Sequence, residues 1–244
     1  MKFYRTLFKF VSLLFAFILL SGFSQMRRAI VSDDIEQVRA LLEKGETPDS
    51  HDLILAIRRN NPQLVQLLLE KGANVKNECY LLVASDQGNA DVVKALLSTG
   101  AKVDCTNRLD VTPLLWAARN GNTEAACLLV DHGADLNYQD ICGNSVLIAA
   151  ILSGNLEIVK VLLERGADVN LVTDNNDDEL TALMWAVEKG NVDATRLLIE
   201  HGADINAKDA AGCTSLVRAN RGNKSEIVEM LIAAGADRNQ KCKE

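Results

Sequence analysis

The chain alternates between short apolar runs and small polar breaks, and from residue 26 onward the runs come in pairs. The clearest pair covers residues 113–120 and 123–132, separated by Gly121-Asn122 and followed by Gly133. Thr112 stands where a helix N-cap is preferred, and the proline after it takes the first helical position, where a missing N–H costs nothing. A glycine after the second run suits a left-handed C-cap. The pattern predicts a helix–turn–helix unit.

This unit recurs along the chain. The phrase Gly-Ala-Asp-x-Asn and its looser copies mark the end of each pair of runs, at Gly45, Gly72, Gly100, Gly133, Gly166, Gly202 and Gly235. Successive glycines are 27, 28, 33, 33, 36 and 33 residues apart. Helices this short are not stable alone, so each must bury its apolar face on neighbouring units. The sequence therefore predicts a solenoid.

The repeat resembles the ankyrin repeat. The resemblance is carried by residues 112–118 (TPLLWAA), 154–159 (GNLEIV) and 181–186 (TALMWA). It covers about residues 26–239 and implies an all-α ankyrin-repeat solenoid of about seven helix–turn–helix units, with short β-hairpin fingers in the later repeats. The ankyrin-repeat domain is expected over 25–240, with units at about 25–50, 51–78, 79–106, 107–139, 140–172, 173–208 and 209–240, and a tail at 241–244.

Three departures from the family pattern carry expectations. The family's usual histidine after Thr-Pro-Leu, which braces the turn, is replaced by Leu115, Ile148, Met184 and Val217. The units at 51–78 and 79–106 are five or six residues short. We therefore expect their fingers to be trimmed or missing. The first unit is expected to keep only a stub of its first helix.

Residues 1–24 differ from the repeats. They begin with three basic residues, Lys2, Arg5 and Lys9. Residues 10–20 are mostly large and apolar, and small residues stand at Gly22 and Ser24. This layout is typical of a secretory signal, with predicted cleavage between Ser24 and Gln25. Eleven apolar residues are few for a membrane span, which needs about 20. We interpret the segment as a cleaved leader of an exported, periplasmic or secreted, bacterial protein; a retained membrane anchor is the alternative.

Charge narrows the class of partner. The chain has 26 Lys and Arg against 33 Asp and Glu, a net charge of −7, and the leader contributes three of the basic residues and no acid. Residues 25–244 thus carry about −10. Nucleic acid and anionic membrane surfaces attract positively charged proteins, so neither is an expected partner. A membrane enters only if the leader is uncleaved. A basic protein would be steered favourably.

No arrangement of residues predicts catalysis, a cofactor or a metal. His132 and His201 precede helix-ending glycines, where a cationic or polar side chain favours the helix dipole, and His51 takes the cap position of its unit. Asp174, Asn176 and Asp178 alternate as in a calcium loop, but Glu179 and Trp185 stand where the EF-hand requires glycine and glutamate. We interpret that insertion as a solvated acidic finger and the protein as non-enzymatic.

Six cysteines are present, and an exported protein can form disulfides. No two of them share a position in adjacent units, so we expect no intramolecular disulfide framework. Cys127 takes a position that is charged or polar in the other units, so it should face solvent. We interpret it as a tolerated substitution; an intermolecular bond, or thiol chemistry at Cys127 or in the Cys142 loop, is the alternative.

The resemblance also implies where a partner binds, across the finger tips and the first helix of each unit. The matching tip residues are Arg108, Leu109, Val111, Ile141, Cys142, Asn144, Asp177, Asp178, Leu180, Ala210 and Ala211. The matching helix-end residues are Arg58, Arg59, Asp86, Gln87, Arg119, Asn120, Leu152, Glu188, Lys189 and Arg221. Four apolar tips, Leu109, Val111, Ile141 and Leu180, are expected to be solvated and to anchor the contact. The alternative is a solvated face with scattered apolar residues.

Trp116 and Trp185 share one position, which is mostly apolar in other units, so packing is preferred over ligand stacking. A solenoid without site chemistry is typically an interaction surface. We therefore expect a monomeric scaffold or accessory protein that binds a protein partner. An immunity-type inhibitor of a secreted toxin and a host-directed ankyrin effector are the alternatives.

Overall fold

Two rows of short helices form the molecule. The computed structural model describes residues 24–75, 78–173 and 178–243. The predicted leader up to Phe23, the calcium-like residues 174–177 and the tip residue Asp177 lie outside the described residues. Within the described residues there are fourteen helices: α1 Gln25–Val31, α2 Ile35–Glu43, α3 Ser50–Arg58, α4 Pro62–Glu70, α5 Tyr80–Gln87, α6 Ala90–Ser98, α7 Pro113–Asn120, α8 Thr123–Asp131, α9 Val146–Ser153, α10 Leu156–Glu164, α11 Ala182–Lys189, α12 Val192–Glu200, α13 Ser215–Arg221 and α14 Ser225–Ala233.

Each unit contributes one odd-numbered and one even-numbered helix, and each kind packs on its own kind. The odd-numbered helices, here called inner helices, contact the next inner helix along the chain, and from α4 onward the even-numbered outer helices do the same. Their contact faces are Leu, Ile, Val and Ala, as with Leu114, Leu147 and Leu183, which are almost fully buried. One continuous core therefore runs the length of the stack. The predicted solenoid is confirmed.

The predicted caps of the best unit are present. Thr112 Oγ1 accepts a hydrogen bond from the N–H of Leu115 at 3.3 Å, so it is the N-cap of α7. Gly121 and Gly133 have φ of 71° and 80°, a region that other residues enter at a steric cost. His132 and His201 lie at the C-caps of α8 and α12, as predicted. The expectation for His51 is wrong, because α3 begins earlier and its N-cap is Asp49, which forms a capping box with Asp52.

Side chains in the turn between inner and outer helices fasten each unit to the one before it. Asn155 Oδ1 caps α10 by accepting from the N–H of Ile158 at 3.1 Å, while its Nδ2 donates to Gly121 O at 3.0 Å and to Thr123 Oγ1 at 2.8 Å. In the last unit the corresponding Lys224 donates from Nζ to the carbonyl of Val187 at 2.7 Å. These bonds brace the turns of a chain that lacks the family's histidine.

A second line of asparagines joins the loops that follow the outer helices. Asn137 Oδ1 accepts from the N–H of Asp168 at 2.8 Å, and Asn170 Oδ1 accepts from the N–H of Asp204 at 2.8 Å. In the third copy of this hydrogen bond, the N–H of Asp237 donates to Asn206 Oδ1 at 2.9 Å. The recurrent Asp-x-Asn of the sequence is therefore an inter-unit hydrogen bond, repeated at the unit spacing.

The fingers are smaller than the resemblance implies. Isolated antiparallel bridges join Gln139 to Ser145 and Val172 to Thr181, and the described part of the two short units contains no such bridge. The first unit differs from its expectation in the other direction. Its inner helix is seven residues long and buries Met26, Ala29 and Ile30, so it is more than a stub. Apolar residues at helical spacing directly after Ser24 produce this helix.

The expectation of no intramolecular disulfide is wrong. Cys79 pairs with Cys105 at a Cα–Cα distance of 5.6 Å, and Cys213 pairs with Cys242 at 4.3 Å. Comparing the same position in adjacent units missed both pairs, because each disulfide joins two different positions of the repeat. Cys127 and Cys142 are free thiols and are partly buried.

The described part of the chain was also compared with the requirements of a membrane span. Among residues 24–75, 78–173 and 178–243, no helix is long and apolar enough to cross a bilayer.

We predict that Asn155→Ala lowers the free energy of unfolding by about 1–3 kcal/mol, because it removes a helix cap and the two hydrogen bonds that join Asn155 Nδ2 to Gly121 O and Thr123 Oγ1 of the preceding unit. Urea denaturation followed by circular dichroism measures the loss. Asn220→Ala is the matched control, because Asn220 is exposed and should change stability by less than about 0.5 kcal/mol. Equal midpoints for the two variants would contradict the bracing role of Asn155.

Candidate binding surface

The two finger tips that the sequence predicted best are exposed and held by short side chains. Leu109 is 53% exposed and Ile141 is 62% exposed. The turn that carries Leu109 is shaped by Asn107. The Oδ1 atom of Asn107 accepts hydrogen bonds from the N–H groups of Leu109 at 2.8 Å and of Val111 at 3.1 Å. Arg108 is exposed on the same tip. The fingers thus present large apolar side chains to solvent on a turn that is fixed by its own hydrogen bonds.

The other two predicted apolar tips are buried. Val111 is 1% exposed and Leu180 is 6% exposed. Both stand one residue before a helix N-cap, Thr112 and Thr181 respectively. An apolar residue at that place commonly packs back on the helix that it introduces, which is the signal that sequence reasoning overlooked. These two residues belong to the core and are removed from the candidate contact.

A third exposed apolar residue was missed. Val172 is 41% exposed and lies at the base of the next finger, bridged to Thr181. Its carbonyl accepts a hydrogen bond from Gln139 Nε2 at 2.7 Å, which ties this finger to the preceding one. Leu109, Ile141 and Val172 come from three successive fingers, and we call them the tip row. Asp178, in the same finger as Val172, is exposed as predicted.

A buried aspartate anchors the Ile141 finger and engages part of the predicted contact set. Asp140 Oδ1 accepts from the N–H groups of Cys142 and Asn144, both at 2.9 Å. Asp140 Oδ2 lies 3.0 Å from Arg119 NH2. Asn144 is half-buried by these bonds, whereas the Arg119 side chain remains 42% exposed. Arg119 therefore supports the finger and still presents charge at the surface.

The inner helices carry a second row of residues near their C-terminal ends, one from each unit after the first. We call this the groove row, and it comprises Arg58, Asp86, Arg119, Leu152, Glu188 and Arg221. Charge alternates along it except at Leu152, which is 37% exposed. The neighbouring predicted residues Asn120 and Lys189 are exposed too. An apolar side chain thus interrupts a charged row, in the same unit as Ile141.

The two tryptophans lie beside the groove row in different states. Both are partly buried and pack on the core, as predicted. Trp116 Nε1 donates to Asp86 Oδ1 at 2.7 Å, and the Arg119 guanidinium lies 5.7 Å from its ring centroid. Trp185 Nε1 is buried and has no hydrogen-bond partner among the described residues. The difference follows from the groove row, because Leu152 stands in the unit before Trp185 where Asp86 stands before Trp116. A buried N–H without an acceptor is costly, so this unsatisfied donor lowers the stability of the stack at Trp185.

Charge is distributed unevenly along this face. Arg108 and Arg119 lie in the fourth unit with Leu109, and Asp178 and Glu188 lie in the sixth unit, which begins directly after Val172. Glu188 is 3.6 Å from Arg218 NH1, with its carboxylate half exposed. The candidate surface is thus basic at one end, apolar in the middle and acidic at the other end.

Groups with catalytic potential are used structurally within the described residues. The ring Nδ1 atoms of His132 and His201 lie 2.8 and 2.9 Å from the carbonyls of Leu128 and Leu197, where they close their helix ends. No cluster of metal-ligating side chains occurs in the part of the chain that the structure describes. Burial raises the pKa of the Cys127 thiol, and Glu157 and Asp131 raise it further. A raised pKa leaves less thiolate at neutral pH, which favours the structural interpretation of Cys127.

Comparison with known families agrees with this geometry. The family model described as ankyrin repeats, three copies, matches residues 26–107, 81–173 and 171–242. The chain belongs to the ankyrin-repeat family. Ankyrin repeats generally mediate binding to protein partners, and the family is typically non-catalytic.

One characterised relative is similar to part of the ankyrin domain. The B-cell lymphoma 3 protein homolog of Mus musculus is 34% identical over 108 residues, which is 39% of this chain and 24% of that protein. The chain therefore spans about a quarter of the length of the relative it matches. The likeness concerns the ankyrin repeats that the two proteins share.

We predict that Leu152→Asp stabilises the ankyrin stack relative to Leu152→Ala. The carboxylate would occupy the position of Asp86 and accept from Trp185 Nε1, and a hydrogen bond to a charged group contributes about 1.5–3 kcal/mol. Urea midpoints of the two variants measure the difference, and Leu152→Ala is the matched control because it removes the same packing without supplying an acceptor. A midpoint of the aspartate variant at or below that of the alanine variant would sink this assignment.

Proposed function

We propose that this ankyrin protein is a non-enzymatic scaffold or accessory protein that acts outside the cytoplasm and binds a protein partner across units four to six. The observation that carries the proposal is the combination of the exposed tip row with the exposed Leu152. Large apolar side chains that are exposed on adjoining units are the groups that gain most when a partner covers them.

The surface specifies the chemistry of that partner. It should present apolar side chains to Leu109, Ile141 and Val172. An acidic group should face Arg108 and Arg119, since complementary charge fixes the register of a complex. Beyond the contact, the net charge of about −10 on residues 25–244 attracts a partner of positive net charge.

Two features support action in an oxidising compartment. Residues 1–24 have the layout of a secretory signal. The two disulfides are the second feature, because such bonds persist in the periplasm or outside the cell and are rare in the reducing cytoplasm. Helix α1 begins at Gln25, so cleavage after Ser24 would keep every helical residue and remove only the N-cap, whose Oγ accepts from the N–H of Arg27.

We predict that the mature protein is recovered from the exported fraction with Gln25 as its first residue and four of its six cysteines oxidised. Intact-mass measurement of that fraction, with and without alkylation after reduction, reads both quantities. A Leu14→Arg variant, which places a charge in the apolar run of the leader, is the control and should stay unprocessed. Recovery of the unprocessed, reduced chain from the cytoplasm would overturn the compartment without affecting the binding surface.

We predict that Leu109→Arg/Ile141→Arg abolishes binding of the natural partner, because two buried anchors of the interface become charged. Affinity capture with the purified protein, followed by titration of the captured partner by calorimetry, measures the loss. We expect at least about a hundredfold weaker binding, the effect of losing about 3 kcal/mol.

Gln63→Arg/Gln66→Arg is the charge-matched control, because both glutamines are exposed on the outer helix α4. This variant adds the same two positive charges away from the proposed contact and should keep full affinity. A partner that binds the tip variant as tightly as the control would move the interface to another face of the stack.

A further inference from the structure

The last residues of the chain repeat the start of a unit. The N–H of Asn239 bonds to Asp237 Oδ1 at 2.9 Å, as Asn137 bonds to Asp135 and as Asn206 bonds to Asp204, with the same distance. Counted from the glycine that recurs in every unit, Cys242 occupies the position of the finger anchor Asp140. Residues 236–243 therefore have the form of an eighth finger beginning beside the seventh.

This segment lies on the seventh finger through bonds from a single residue. The backbone N–H of Lys243 donates to Ala211 O at 2.8 Å, and its Nζ donates to Ala210 O at 3.1 Å. Gly212 is in close contact with it, because a Cβ at that position would lie 3.2 Å from Lys243 Cγ. The Cys213–Cys242 disulfide closes this contact covalently.

The two sulfurs of the disulfide are placed differently. Cys213 is 3% exposed, and Arg221 NH1 lies 3.5 Å from its Sγ. Cys242 is only partly buried. A guanidinium beside a sulfur stabilises the thiolate that leaves when a disulfide is cleaved. Cys242 is therefore the more accessible of the two cysteines, and Cys213 is the one whose thiolate has a cation beside it.

We propose that Cys213–Cys242 is a site of thiol–disulfide exchange that opens and closes the C-terminal end of the solenoid, and that its reactant is a dithiol reductant. The proposal does not depend on the identity of the binding partner. Released from Cys213, residues 240–243 leave the seventh finger and uncover the Ala210 and Ala211 carbonyls.

The exchange proceeds in two balanced steps. A thiolate of the dithiol attacks Cys242 Sγ, the S–S bond breaks, and its electron pair passes to Cys213 Sγ as a thiolate beside Arg221. The second thiolate of the reductant then attacks the reductant's other sulfur, which is bonded to Cys242 Sγ in the mixed disulfide. This step releases the Cys242 thiolate. The reductant is oxidised to a disulfide, and the protein gains two thiolates that take up protons from solvent.

The second disulfide of the chain has a different setting. Within the described residues, no guanidinium or ammonium group bonds to a sulfur of the Cys79–Cys105 pair, and both of its cysteines are partly buried. The asymmetry of one shielded and one accessible sulfur belongs to the C-terminal pair.

Arg221→Gln tests the role of the guanidinium. The oxidised protein is treated with dithiothreitol, samples are quenched with N-ethylmaleimide, and the alkylated Cys242 peptide is followed by mass spectrometry. We expect reduction of Cys213–Cys242 to slow by about three- to tenfold, because the departing thiolate loses its cation. Arg58→Gln, at the same groove-row position of the second unit, is the control and should leave the rate unchanged.

Hydrogen exchange tests the opening. On reduction we expect the Lys243 amide to lose its protection, while amides of α7 and α9 keep theirs. An unchanged reduction rate in Arg221→Gln would overturn the role of Arg221. Full protection of the Lys243 amide in the reduced protein would overturn the opening of the C-terminal end.

Discussion

No unit buries enough apolar surface to be stable alone, and the rest of the structure follows from this constraint. A helix of seven to nine residues cannot form a core of its own, so every unit is stable only while its neighbours cover it. Apolar contact alone does not fix how one unit is placed on the next, because leucine and alanine faces can slide. The asparagine bonds remove that freedom. Asn155 and Asn170 each join a side chain to the backbone of an adjacent unit, so the unit spacing is set by directed hydrogen bonds.

The difference between local interactions within a helix and contacts between units explains which parts of the fold could be predicted from the sequence. The bounds of α7 and the left-handed glycines follow from local rules of helix capping, which read directly from Thr112, Pro113 and Gly133. The finger tips do not, because exposure there depends on which way one residue turns. Val111 and Leu180 are buried and Val172 is exposed, although all three occur in finger segments of similar composition. The deciding feature is the distance to the next N-cap, and it becomes visible once the cap is located.

The candidate surface shows how a repeat acquires specificity without changing its fold. The partner of Trp116 lies one unit earlier, in Asp86, so the state of each tryptophan is decided by its neighbour's sequence. Leu152 stands at the position that Asp86 occupies two units earlier. This one difference exposes an apolar side chain and leaves the N–H of Trp185 unsatisfied. The exposed leucine favours an apolar partner, whereas the buried, unsatisfied N–H lowers the stability of the stack. Repetition of the scaffold makes such a local exception possible, since the other units keep the stack intact.

The two disulfides occur where the non-covalent fastening is weakest. Cys79 is the N-cap of α5 but makes no capping hydrogen bond, and it stands at the start of a unit too short to build a full finger. Cys242 takes the position where Asp140 would anchor a finger by hydrogen bonds to its backbone. In each place a polar anchor has been replaced by a covalent one. A hydrogen-bonded anchor holds its finger in any solvent condition that keeps the chain folded, whereas a disulfide holds it only while it stays oxidised. These two parts of the solenoid therefore respond to a change in redox conditions, whereas the other units do not. The environment of Arg221 makes the Cys213–Cys242 disulfide the more responsive of the two.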